Sequence, residues 1–94
     1  METSKGEMKM PYRVQERGSP LRAYNGTLLC TSTLEEARVV QEQWYGEDVD
    51  LYEVHGHVVK SFEERYWLDN NNFVKVRAVL LRPKRIIKVG VMPI

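Results

Sequence analysis

The chain has 94 residues, 43% hydrophobic and 29% charged, with 14 Lys and Arg against 13 Asp and Glu for a net charge of +1. That length builds one domain around a modest core. A lone Cys30 excludes an internal disulfide and a cysteine-based zinc cluster, and no apolar run reaches the roughly 18 residues of a membrane span.

Residues 1–10 lack the continuous apolar stretch of a secretory signal and read as a flexible N-terminal tail, so the domain occupies residues 11–94. Met10 to Glu16 alternates like a short strand, with Pro11 at its start where a missing N–H does little harm. Arg17-Gly18-Ser19-Pro20 is a turn, and Asn25-Gly26 is the favoured pair for a tight hairpin joining Leu21–Ala23 to Thr27–Cys30. Cys30-Thr31-Ser32-Thr33 then leads into the best helix of the chain. Ser32 with Glu35, or Thr33 with Glu36, fits a capping box. Leu34, Ala37, Val40 or Gln41, and Trp44 recur at helical spacing, and Gly46 is placed to end the helix.

Beyond Gly46 the residues favour strands. Val49–His55 reads as one, Gly56 allows a bend or bulge, and His57–Lys60 continues. Residues 61–68 (SFEERYWL) suit either a helix or a twisted edge strand. Asp69-Asn70-Asn71-Asn72 is a turn. From Phe73 to Arg82, Val74, Val76, Ala78 and Leu80 share one face. Pro83-Lys84-Arg85 breaks that run, and Ile87, Val89 and Val91 share a face of the last strand. A single amphipathic helix must bury its stripe against a sheet. The expected fold is therefore α+β, with one principal helix packed on a curved, mostly antiparallel sheet of about five or six short strands.

The charge is uneven along the chain. Residues 35–69 carry ten acids against Arg38, Lys60 and Arg65, whereas residues 70–94 carry no acid but six bases. Lys75, Arg77, Arg82, Lys84 and Arg85 are the candidates for following a phosphate backbone. The isoelectric point of about 7.9 is below the value above 9 of a dedicated nucleic-acid binder. Phe62, Arg65, Tyr66 and Trp67 supply the residue types that dominate protein-binding hot spots. His55 and His57, with Glu53, fall short of a convincing metal-ligand set, because zinc takes three or four ligands and two histidines flanking a glycine are ordinary strand residues. No nucleophile elbow or phosphate-cradling glycine loop is present.

The order of Tyr12-Arg13-Val14, the motif Cys30-Thr31-Ser32-Thr33-Leu34-Glu35-Glu36-Ala37 and the strand Val49–Val54 resembles the small bacterial and phage ADP-ribosyltransferase-like proteins. In that family an early arginine and the serine hold the nicotinamide dinucleotide, and a late glutamate stabilises the transition state. The resemblance implies ligand-contact roles for Arg13 and Ser32. Residues 70–94 contain no acid to supply the glutamate, so it implies a catalytically degenerate relative. The small size likewise resembles the short host-modulating proteins of phages. Taken together, the expectation is a cytoplasmic, non-enzymatic domain with no catalytic residues, metal, cofactor or membrane partner. It would bind, and thereby modulate, a partner protein. A transferase-like nucleotide-binding domain and a nucleic-acid binder rank behind it.

Overall fold

The computed structural model describes residues 11–94, so the tail expected over residues 1–10 lies outside the described residues. Four strands run as β1 (Tyr12–Glu16), β2 (Leu28–Thr31), β3 (Val49–Trp67) and β4 (Phe73–Met92). Between β2 and β3 lie the helix α1 (Leu34–Val40) and a π-helical turn, Gln41–Tyr45. All pairings are antiparallel, and the strands close into a barrel in the order β1-β2-β4-β3.

The expected five or six short strands are instead two short ones and two very long ones. Gly56 and Pro83 do not interrupt the hairpin of β3 and β4; they face each other within it. Three slips in register leave Val59, Lys84 and Val89 without a partner. A bulge bends a strand and increases its twist, so these three sites curl a 19- and a 20-residue strand into a barrel wall rather than a flat ribbon. Gly90 beside Val89 has φ 148°, a conformation that suits glycine. At the other bend, a Cβ on Gly56 would meet the Arg82 carbonyl oxygen at 2.1 Å, so the two strands approach too closely there for any side chain.

β4 is covered on both faces where it pairs with both β2 and β3. The expected stripe of Val74, Val76, Ala78 and Leu80 holds only at Val76 and Ala78; beyond them Val79 and Leu81 are the buried pair. Val89 and Val91 are exposed, and Met92 closes the core instead. The core has two parts. Val14, Ala37, Val49, Leu51 and Met92 form one with Tyr12, Val40 and Tyr45 packed against it, and Leu28, Cys30, Val54, Val79 and Leu81 form the other.

The segment Leu21–Ala23 is not a strand; only an isolated bridge, Tyr24 with Thr27, flanks the Asn25-Gly26 turn. Buried Asp50 anchors the earlier turn by accepting the Gly18 N–H at 3.0 Å, with Lys88 at 3.5 Å. The helix is shorter than its spacing suggested. Thr33 is the N-cap and Glu36 completes the capping box. Ala37 and Gln41 are its buried residues, whereas Leu34 is exposed. The Gln41 side chain donates to the carbonyls of Glu47 and Met92, which ties the helix end to the loop before β3 and to the end of β4.

Candidate functional site

β1 and β2 meet through one residue pair, Tyr12 with Thr31. Past that pair the strands splay, and the Arg13 guanidinium supplies the Leu29 carbonyl with a donor at 2.9 Å in place of the missing ladder bond. Its Nε donates to the Gln15 side chain at 3.2 Å. A cavity of about 220 Å³ opens at this seam. Tyr12, Arg13, Val14, Leu29, Cys30 and Thr31 line it from the two strands. Val40, Trp44 and Tyr45 line it from the helical segment, and Glu64, Tyr66, Val76 and Ala78 from the hairpin.

The π-helical turn decides which aromatic ring faces where. The Gly46 N–H reaches back to the Gln41 carbonyl at 2.8 Å, five residues away, and Gly46 takes φ 66°. The widened turn carries Tyr45 onto the core and leaves Trp44 on the rim, 70% exposed, although Trp44 is the residue at α-helical spacing. Trp44 Nε1 donates to the Tyr66 hydroxyl at 3.2 Å, and that hydroxyl donates to Glu64 Oε1 at 3.2 Å. Burial pushes the Tyr66 phenol above its ordinary value; the Trp44 N–H opposes this and the Glu64 carboxylate adds to it. Burial likewise pushes the Cys30 thiol up to about 12 despite the nearby Arg13. The cysteine in this wall is therefore a packed thiol and not a nucleophile.

The far half of the hairpin extends past the short strands as an arm with two faces. Directly opposed residues share a face, so Phe62, Glu64 and Tyr66 lie with Ala78, Val76 and Val74, towards the cavity. Glu63, Arg65 and Trp67 lie with Arg77, Lys75 and Phe73 on the other face. There the Trp67 and Phe73 rings are 5.0 Å apart and the Arg65 guanidinium sits 5.0 Å above Phe73. Trp67 is 55% exposed. The four candidates Phe62, Arg65, Tyr66 and Trp67 thus fall on one strand but on two faces. Tyr66 alone lines the cavity, and Phe62 packs beneath the Lys60 ammonium. Tyr66, Arg65 and Trp67 come together around a second, shallower depression with Gln43, Trp44 and Glu64.

Comparison with known proteins finds no matching family model, no similar characterised protein and no similar solved structure.

The basic candidates are all exposed on β4. Lys75 and Arg77 are on the arm, where Arg77 pairs with Glu63 at 3.5 Å. Arg82 and Arg85 lie opposite His57 and His55, across the bend at Gly56, with the bulged Lys84 between them. His55 is 3.4 Å from the Glu53 carboxylate, and no group of three or more potential metal ligands occurs among the described residues. None of the described helices is long and apolar enough to cross a membrane.

Of the two residues singled out by the transferase resemblance, Arg13 lines the cavity. Ser32 does not: its hydroxyl donates to Glu36 at 2.8 Å and serves the helix start. The neighbouring Thr31 is the hydroxyl residue in the wall, and Glu64 is the carboxylate. Sequence reasoning missed Trp44, Glu64 and Phe73. Residue spacing puts Trp44 in the buried stripe, because a π-helical turn leaves no clear mark in that spacing. Phe73 follows from Trp67 once the hairpin register is known, since they flank the Leu68–Asn72 loop as its first pair.

Proposed function

We propose that this protein is a non-enzymatic binding domain that docks on a partner protein through the rim of the cavity and the arm beside it, altering that partner's activity. The observation that carries this reading is the pair of exposed tryptophans, Trp44 and Trp67, which border the depression between helix and arm. Tryptophan and arginine in such a setting are the residues that dominate binding energy when a partner excludes water from them. Arg65 and Lys75 on one face and Glu64 on the other give the surface charge that favours one orientation of approach. The test is affinity capture from a nuclease-treated lysate with the native chain and with Trp67→Ala. Capture of a discrete protein by the native chain and its loss in the variant are expected. Capture that disappears with nuclease, or is unaffected by the variant, rejects the reading.

A second reading rests on a different observation. Arg13 and Thr31 line one cavity, and a cation and a hydroxyl are the groups that a catalytically degenerate transferase-like domain would use to hold a nucleotide. A ligand that binds the folded state raises its melting temperature. No shift with millimolar nicotinamide dinucleotide would remove this reading.

A further inference from the structure

The cavity at the β1–β2 seam has a composition that suits one kind of ligand. Tyr12, Trp44, Tyr45 and Tyr66 all contribute to its lining, and the carboxylate among them belongs to Glu64. The face of each ring carries a negative quadrupole that attracts cations, and tryptophan is the strongest such partner. Among the described residues, Glu64 has one hydrogen-bond partner, the Tyr66 hydroxyl, and no lysine or arginine within ion-pairing distance. A carboxylate has about four acceptor positions, of which the Tyr66 hydroxyl takes one. The Trp44–Tyr66–Glu64 chain of hydrogen bonds holds two of the rings and the carboxylate in fixed relation, so little ordering remains for a ligand to impose.

Arg13 is the opposing charge in the lining. Its guanidinium is tethered to the Leu29 carbonyl and the Gln15 amide oxygen on the short-strand side of the cavity, whereas Glu64 and Tyr66 belong to the hairpin side. The groups that attract a cation are therefore those on the helix and hairpin side of the lining, Glu64, Trp44 and Tyr66.

We propose that this cavity takes the alkylammonium side chain of a lysine presented by the partner protein. The four-carbon stem would lie along Val40, Val76 and Ala78, and the ammonium would meet Glu64 and the rings of Trp44 and Tyr66. The chemistry follows from the lining: an apolar wall for the methylenes, and a carboxylate with aromatic faces for the charge. This inference deepens the protein-binding reading and rests on it.

The test titrates the full chain with Nα-acetyl-lysine methylamide and with the neutral analogue that has the same four-carbon stem without the ammonium, Nα-acetyl-norleucine methylamide. The Trp44 indole N–H and Tyr66 ring signals are followed by nuclear magnetic resonance. Binding of the lysine compound about tenfold tighter than norleucine is expected. Glu64→Gln, which keeps an acceptor for Tyr66, should abolish the preference while leaving the rest of the spectrum in place. Equal binding of both compounds would show an apolar pocket and overturn the proposal, as would no saturable binding. Tighter binding of Nα-acetyl-norleucine with a free carboxylate would assign the cavity to Arg13 and an anion, and would also overturn it. The parent reading has its own readout. If lysine fails to bind but Trp67→Ala still abolishes partner capture, only the lysine assignment falls. If capture is indifferent to Trp67→Ala, the docking surface itself falls.

Discussion

Gly56 is needed because of what lies against it. Its φ is ordinary, yet a β-carbon there would overlap the backbone of Arg82 and Pro83, at 2.1 Å from one carbonyl oxygen. Backbone on both sides leaves no flexible side chain to move away, so relief requires separating β3 from β4 at the bend. Gly56→Ala is therefore expected to destabilise the protein by about 2–4 kcal/mol, a size associated with overpacking that the backbone must absorb. A denaturant midpoint unchanged from the native chain would contradict the geometry. Cys30 makes a related point about chemistry. Its side chain is buried in the second core and its thiol is pushed up to about 12. At neutral pH native protein should react with a thiol reagent only as fast as it opens, and addition of denaturant should make labelling immediate. Fast labelling of the folded chain would mean that the thiol is accessible at the cavity wall.

The start of α1 is where one carboxylate joins three parts of the molecule. Glu36 Oε1 accepts from the Thr33 N–H at 3.1 Å and from the Ser32 hydroxyl at 2.8 Å, while Oε2 accepts the Arg77 N–H at 2.9 Å. The last bond extends β4 beyond the end of β2, with a side chain taking the place of a strand. Burial alone would raise the Glu36 carboxyl, but the Arg77 N–H and the Ser32 and Thr33 donors outweigh it and hold it below the usual carboxylate range. A carboxyl depressed in the folded state stabilises fully above its unfolded value of about 4.3. That contribution fades as pH falls through the lower folded value. Stability should thus decline as pH falls below about 5, and Glu36→Gln should flatten the decline while keeping an oxygen for the cap. Thr33→Ala, which removes the hydroxyl that accepts the Glu36 N–H, should cost about 1 kcal/mol at neutral pH. Thermal unfolding across this pH range measures both. The capping box was legible because cap and partner are three residues apart and need no tertiary context. The same holds for the Asn25-Gly26 turn and for Gly46 as the helix end. What could not be read was continuity: Gly56, Pro83 and the polar alternation of residues 61–68 look like breaks, but two long strands satisfy each other's backbone across all of them. The cavity was hidden for the same reason, since Tyr12, Trp44 and Glu64 are joined only by that long-range register and by a π-helical turn.

At the scale of the molecule, stability and surface chemistry are separated along one hairpin. The near part of β3 pairs with β1 and the middle of β4 pairs with β2, and both core clusters lie in this region. Beyond Arg77 towards the loop, neither β1 nor β2 flanks the hairpin, and Trp67, Leu68 and Phe73 are exposed. The loop is held locally: the Asp69 carboxylate accepts the N–H groups of Asn71 and Asn72, and the Asn72 N–H₂ as well. An isolated two-stranded segment is marginal in water, whereas strands closed into a barrel share their hydrogen bonds on both edges. Local opening should therefore start at the arm and stop at the barrel. In hydrogen exchange, amides of residues 63–67 and 73–76 should exchange well before those of residues 49–54 and 78–81. Replacing Trp67, Leu68 and Phe73 together by threonine should speed exchange in the arm further and leave the protected barrel amides close to native, because none of the three contributes to either core cluster. If the barrel amides lose protection in that variant, the arm is part of the cooperative fold rather than a surface mounted on it.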